Sequence, residues 1–272
     1  MLIKLARYAL KILPDSLSFQ VTRGLAAMTQ VVPVAAAERE AMKSATKRHY
    51  GDDGRNVAWS WGKEGPLVVL IHGWGGRAAQ MAPLASDLSQ QGFRCVAPDI
   101  RGHGDSPLRY TRWSFLLDDI AAISASLNEE VYAYVSHSAG ALTTMAARGL
   151  KGISAERYVC ICAPSHPFPP INVIEKKLAP RKQVVDRYKE FIARQFDTDW
   201  ATLQTGVSYA GAGSDMLLFY DEVDRFVPHR EGDKIHGLCP GSTLIKTNGY
   251  SHAKVLAAAE LSSAVGEFLK IA

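Results

Sequence analysis

Val131-Tyr132-Ala133-Tyr134-Val135-Ser136-His137-Ser138-Ala139-Gly140 is an apolar run that stops at a serine and passes directly into small residues. The run has strand character, and Ala139–Leu150 has helix character, so the spacing predicts a sharp strand-to-helix turn at Ser138. Such a turn needs small neighbours, because its backbone is strained and the helix must pass close to the strand. Ala139, Gly140 and Ala141 meet that need. Ser-x-Gly alone is weak, since glycine is about 7% of residues in ordinary proteins. Its placement between strand and helix is what makes Ser138 a candidate nucleophile. Ser136 is a rival, but it would lie within the strand, and it also stands where a glycine is usual for this turn.

Upstream, the apolar strand Leu67–Ile71 runs into His72-Gly73-Trp74-Gly75-Gly76. Glycines there let a backbone N–H approach a reacting carbonyl. Trp74 and Ala139 are therefore the expected oxyanion-hole donors. The loop lacks both Gly-x-Gly-x-x-Gly and a following Lys-Ser/Thr, which disfavours phosphate cradling. A glycine-rich connection with no chemistry is the plain alternative.

Downstream, Met216–Tyr220 leads into Asp221-Glu222-Val223-Asp224-Arg225-Phe226-Val227-Pro228, and Thr243–Lys246 leads into Asn248-Gly249-Tyr250-Ser251-His252. Asp224 lies deepest in its loop and is the preferred acid, with Asp221 as runner-up. His252 is the expected base, because it follows both the acid and a strand; His229 and His236 follow no strand. In this reading the base takes a proton from Ser138, and the acid holds the base's Nδ1–H.

Further strands are expected at Asn56–Trp61, Arg94–Ala97 and Tyr158–Ala163, with helices at Ala78–Gln90, Thr111–Leu127 and Ala253–Ile271. Strands alternating with helices predict an α/β class with a largely parallel, doubly covered sheet. Between His166 and Gly213 the alternation breaks into short helices, Ile171–Leu178, Lys182–Gln195 and Trp200–Tyr209. A helical cap at about 166–213 is expected, roofing the carboxyl ends of the strands. The division is then residues 1–50 as an N-terminal helical extension and 51–272 as the capped domain. His137, Phe168, Trp200 and Trp74 are the expected substrate-binding side chains, Trp113 and Phe115 border the site, and Arg181, Lys182 and Arg187 could steer an anionic leaving group.

The order Ser138…Asp224…His252, with the His72–Gly76 loop and Asp99-Ile100-Arg101-Gly102-His103-Gly104-Asp105-Ser106, resembles the α/β-hydrolase superfamily over nearly all of residues 56–272. It is most similar to small bacterial esterase-like serine hydrolases. The resemblance implies an α/β-hydrolase fold with the cap after the sixth core strand, a Ser-His-Asp mechanism acting on a small-molecule acyl ester, and no cofactor or metal. The Asp99–Ser106 segment then shapes the sheet edge and is not catalytic. Haloalkane dehalogenases and epoxide hydrolases on this scaffold use a carboxylate nucleophile, which Ser138 argues against. Thioesterase, lactonase and carbon–carbon bond hydrolase activities remain open, as does a non-catalytic small-molecule binder.

Composition sets the outer bounds. The 272 residues, 47% hydrophobic and 21% charged, suit one domain with an insertion. The 31 basic and 27 acidic residues are interspersed, so a nucleic-acid partner is not expected. Cys95, Cys160, Cys162 and Cys239 show no C-x-x-C spacing and read as reduced thiols in a cytoplasmic monomer or homodimer. Lys4, Arg7, Lys11 and Arg23 interrupt the N-terminal apolar segment, so neither a membrane span nor a cleaved leader is expected. Residues 1–30 read as an amphipathic helix with Leu2, Leu5, Ala9, Ile12 and Leu13 opposite the cations. It either packs on the domain or lies peripherally on the inner membrane.

Overall fold

The computed structural model describes residues 7–8, 10–29, 33–51, 53–213 and 215–270. Its centre is an eight-stranded sheet: β1 (Thr46–Tyr50), β2 (Asn56–Trp61), β3 (Leu67–Ile71), β4 (Arg94–Asp99), β5 (Ala133–His137), β6 (Arg157–Ile161), β7 (Met216–Asp221) and β8 (Thr243–Thr247). The spatial order is β1-β2-β4-β3-β5-β6-β7-β8; β2 pairs antiparallel with both β1 and β4, and every other pair is parallel. All five residues of β3 are buried, as a strand covered on both faces requires. Successive side chains alternate between two cores: Val69 and Ile71 face one, and Val68 and Leu70 face the other.

The helices are α1 (Asp15–Ala27), α2 (Ala36–Met42), α3 (Ala78–Gln90), α4 (Trp113–Leu127), α5 (Ala139–Lys151), α6 (Phe168–Val173), α7 (Lys182–Ala193), α8 (Trp200–Gln204), α9 (Arg230–Leu238), α10 (Ser251–Lys254) and α11 (Ala259–Leu269). The cap is α6, α7, α8 and their connections, inserted between β6 and β7 as expected. Its buried residues Ile171, Ile174, Val184 and Tyr188 belong to the same core as β3 and α5. The chain turns from leftward to rightward addition between β3 and β5, and at such a switch point two loops diverge and leave a crevice.

Three expectations need correction. The sheet begins at Thr46, not Asn56, because β1 is a polar edge strand whose only buried residue is Tyr50. The C-terminal helix is broken: Ala258 is extended (φ −75°, ψ 132°), which lets Val255 and Leu256 bury separately from Leu261, Val265 and Leu269. The N-terminal segment is not one helix, since Pro14 precedes a fresh start at Asp15. The part of that expectation resting on Leu2, Lys4, Leu5 and Ala9 lies outside the described residues.

The first of these helices, α1, is not a free appendage. Phe19 meets Phe191 of α7 edge-on at 5.9 Å, and the Arg187 guanidinium lies 4.5 Å over the Phe19 ring. Asp15 pairs with Arg181 at 2.7 Å. Beyond α1, Met28 bridges to Tyr110, and Thr111 N–H donates to Ala27 O at 2.8 Å. The roof over the strand ends is therefore built from both α1 and the cap.

Candidate active site

Ser138 sits at the end of β5 with φ +53° and ψ −122°, a conformation that costs a non-glycine residue about 1–3 kcal/mol. The turn is held by Ser138 N–H donating to Ile161 O at 2.8 Å. It also requires Gly140: a Cβ there would come within 2.4 Å of His72 O, so α5 could not pass this close to β3. Ser136, the rival, is buried within β5 and hydrogen-bonds Thr144 at 3.0 Å, away from the crevice.

The three residues singled out from the sequence meet at the rim of the sheet. His252 Nε2 lies 3.0 Å from Ser138 Oγ, and His252 Nδ1 lies 2.6 Å from Asp224 Oδ2. Because the carboxylate can only accept, Nδ1 carries the proton and Nε2 is left to accept from the hydroxyl. Asp224 is buried, which raises its pKa, but the His252 imidazole and the N–H groups of Val227 and Phe226 outweigh that and hold it below the ordinary carboxylate value. Asp221 does different work. Its carboxylate accepts from Ser251 N–H (2.9 Å), Tyr250 N–H (3.1 Å), Val223 N–H (3.2 Å) and Thr247 Oγ1 (3.0 Å), and so fixes the loop that carries His252.

The His72–Gly76 loop is braced by two histidines. His72 Nε2 accepts from Ile100 N–H at 3.1 Å, and His103 Nε2 accepts from Gly75 N–H at 2.9 Å. Burial lowers His72 to about 4 and His103 to about 3, so both stay neutral and able to accept. The N–H groups of Trp74 and Ala139 have no acceptor among the described residues. Both residues line the same cavity as Ser138. His137, also buried and lowered to about 3, hydrogen-bonds the main-chain carbonyl of His252 at 2.9 Å. It holds the main chain of His252 rather than lining the cavity.

That cavity, of about 330 Å³, is walled by Trp74, Trp113, Pro169, Ile174, Phe226 and, from the N-terminal segment, Leu25, Ala26 and Met28. Phe168 and Trp200 do not line it. Each packs against His166, at 5.3 and 5.7 Å between ring centroids, inside the cap. Phe115 is taken up by Arg101, 4.5 Å above its ring. Arg181 and Lys182 are engaged with Asp15 and Asp186, and Arg187 covers Phe19, so the leaving-group role expected of these three is not supported. The wall residues from α1 were not foreseen, since they lie over a hundred residues from Ser138 in the chain.

Cys162, Asp224 and His252 lie close enough to suggest a metal set among the described residues. Burial and the neighbouring Asp224 charge push the Cys162 thiol well above its usual range, so it stays protonated and a poor ligand. Asp224 and His252 already satisfy one another, and the donor set suits hydrogen bonding better than metal coordination.

Residues 68–247 match the alpha/beta hydrolase family. The chain belongs to that family. Among curated proteins this α/β-hydrolase is 30% identical over 120 residues to an AB hydrolase superfamily protein of Bacillus subtilis, covering 41% of this chain and 40% of that one. It is 35% identical over 83 residues to epoxide hydrolase 3 of Siraitia grosvenorii, covering 29% and 26%. The matches thus span well under two thirds of either relative. Among solved structures, a Pyrococcus furiosus esterase matches with a TM-score of 0.64 at 18% identity, over 89% of this chain and 98% of that one. A Bacillus anthracis bromoperoxidase matches at 0.63 and 17% identity, over 84% and 100%. These likenesses establish the α/β-hydrolase fold for the chain. No described helix is long and apolar enough to cross a membrane.

Proposed function

We propose that this chain is a serine hydrolase cleaving a carboxylic ester, with Ser138 as nucleophile, His252 as general base and acid, and Asp224 as the residue that orients His252. The observation that carries the reading is the continuous hydrogen-bond line Ser138–His252–Asp224, at 3.0 and 2.6 Å, opening on an apolar cavity. Ser138 Oγ attacks the ester carbonyl while its proton passes to His252 Nε2, and the resulting imidazolium is stabilised by Asp224. The oxyanion receives hydrogen bonds from the N–H groups of Trp74 and Ala139. Collapse expels the alcohol, protonated by His252, and leaves an acyl group on Ser138. Water, deprotonated by the same imidazole, then releases the acid. A cavity of about 330 Å³ is at the small end of the usual range of about 300–1,000 Å³ and suits a single short or medium acyl chain.

The strain at Ser138 supports the same reading, since a non-glycine φ of +53° is retained where the hydroxyl must project from the turn. The test is turnover of p-nitrophenyl esters of graded length. Ser138→Ala is expected to lose about 10³-fold or more in kcat while its KM stays within a few-fold. Turnover equal to wild type would refute the proposal.

A further inference from the structure

Outside the reacting centre, the most unusual surface is the outer face of α1. Leu17, Val21 and Leu25 follow one another at four-residue spacing, and Met28 continues the line; all four are exposed, at 52%, 41%, 40% and 63%. Tyr8 and Ile12 on the preceding segment are exposed as well. The opposite face of α1 is already satisfied, with Ser18, Phe19 and Thr22 buried against the protein. The exposed stripe therefore exceeds what packing of α1 needs, and it ends at the cavity containing Ser138, whose wall includes Leu25 and Met28.

Beside this stripe lies a second cavity of about 390 Å³ that shares Met28, Trp74 and Trp113 with the first. Arg23, Arg109 and Arg112 line it, and Lys177 lines the Ser138 cavity. None of these four cations forms an ion pair with a carboxylate among the described residues. The Thr111 hydroxyl and the Trp113 indole N–H belong to residues of the same wall, both are buried, and neither has a hydrogen-bond partner among the described residues. Exposed apolar side chains flanked by unpaired cations complement a surface that is oily inside and anionic outside. A second copy of this chain fits less well, because a two-fold contact would set the same cations against each other.

We propose that α1, together with the Arg23–Arg109–Arg112 cluster, docks this protein on an anionic phospholipid bilayer. The substrate is then a membrane-borne acyl ester that enters the Ser138 cavity past Leu25 and Met28. The docking stands on its own; the substrate assignment rests on the function proposed above.

The experiment is co-sedimentation of the full chain with vesicles of phosphatidylcholine alone or with about one quarter phosphatidylglycerol. Wild type is expected to pellet with the anionic vesicles at low salt, to be largely released at high salt, and to bind the zwitterionic ones weakly. Leu17→Glu/Val21→Glu, which touches neither cavity, is expected to weaken binding by about tenfold or more while keeping wild-type turnover of a water-soluble ester and its melting temperature. Ser138→Ala is expected to bind like wild type while losing about 10³-fold or more in turnover, so failure of docking and failure of the hydrolase reading are seen separately. Wild type remaining in the supernatant with anionic vesicles at low salt would overturn the proposal, as would equal binding by the double variant. So would a solution dimer that the double variant dissociates, since a second copy would then cover the face.

Discussion

Asp221, the last residue of β7, and Asp224, three residues on in the turn that follows, are both buried, yet their carboxylates are occupied in opposite ways. Asp224 gives one oxygen to the N–H groups of Phe226 and Val227 and keeps the other for the ring of His252. Asp221 has both oxygens committed to the chain, to Val223 and Ser251 on one and to Tyr250 and Thr247 on the other. Burial raises the pKa of each, but the hydrogen bonds they accept outweigh it and hold both below the usual carboxylate value. Charge and depth thus do not separate the two; the identity of the donors does. One carboxylate orients a ring, and the other holds the backbone that carries that ring.

The sharpest way to break this contrast is a pair of isosteric replacements. Asp224→Asn can keep its acceptor oxygen toward Phe226 and Val227, so its stability should change by less than about 1 kcal/mol. Its amide would, however, present N–H to His252 Nδ1 and favour the wrong tautomer, and kcat should fall by about 10³-fold or more. Asp221→Asn has no such choice, because either orientation points an N–H at a backbone donor. It should lose about 2–3 kcal/mol in urea unfolding, with a smaller loss of kcat in the fraction that remains folded. Denaturation midpoints and single-substrate kinetics on both variants read the two effects. A reversal of the pattern would exchange the roles assigned to the two residues.

A smaller effect extends the comparison to the neutral histidines. Burial lowers His72, His103 and His137 to about 4, 3 and 3, against about 6.5 in an unfolded chain. Between those values the unfolded state binds protons that the folded state refuses, so stability is complete above about pH 6.5 and falls as pH drops toward 4. Each histidine contributes up to about 1.4 kcal/mol per pH unit in that window. Urea midpoints at pH 7 and pH 5.5 should therefore differ measurably, and a variant with His103→Gln should show a shallower decline. A flat profile would mean that these imidazoles are not buried neutral acceptors.

The sheet was legible because Leu67–Ile71 and Met216–Tyr220 are uninterrupted apolar runs, which only doubly covered strands need. The edge strand Thr46–Tyr50 was not, because Thr-Lys-Arg-His-Tyr buries one side chain and an edge strand can stay polar. Nothing in Ala257-Ala258-Ala259 marks the break between the last two helices; packing alone imposes it. At the site, the order and strand-end placement of Ser138, Asp224 and His252 pointed to residues that the fold brings within hydrogen-bond reach. The cavity walls stayed hidden, since Leu25, Met28 and Pro169 arrive from segments with no local mark of that destiny. Cap aromatics such as Phe168 and Trp200 served the cap's own packing instead. The bracing by His72 and His103 is likewise a matter of the two loops meeting in space, 28 positions apart in the chain.

The central claim is that the strained serine at the end of β5 is the nucleophile. Its most direct test is exposure of the folded protein to a fluorophosphonate, followed by peptide mass spectrometry to locate the adduct. The account predicts a single phosphonyl group on Ser138, absent from Ser138→Ala and formed far more slowly in His252→Ala. No adduct on folded wild type, or an adduct on another residue, would contradict it.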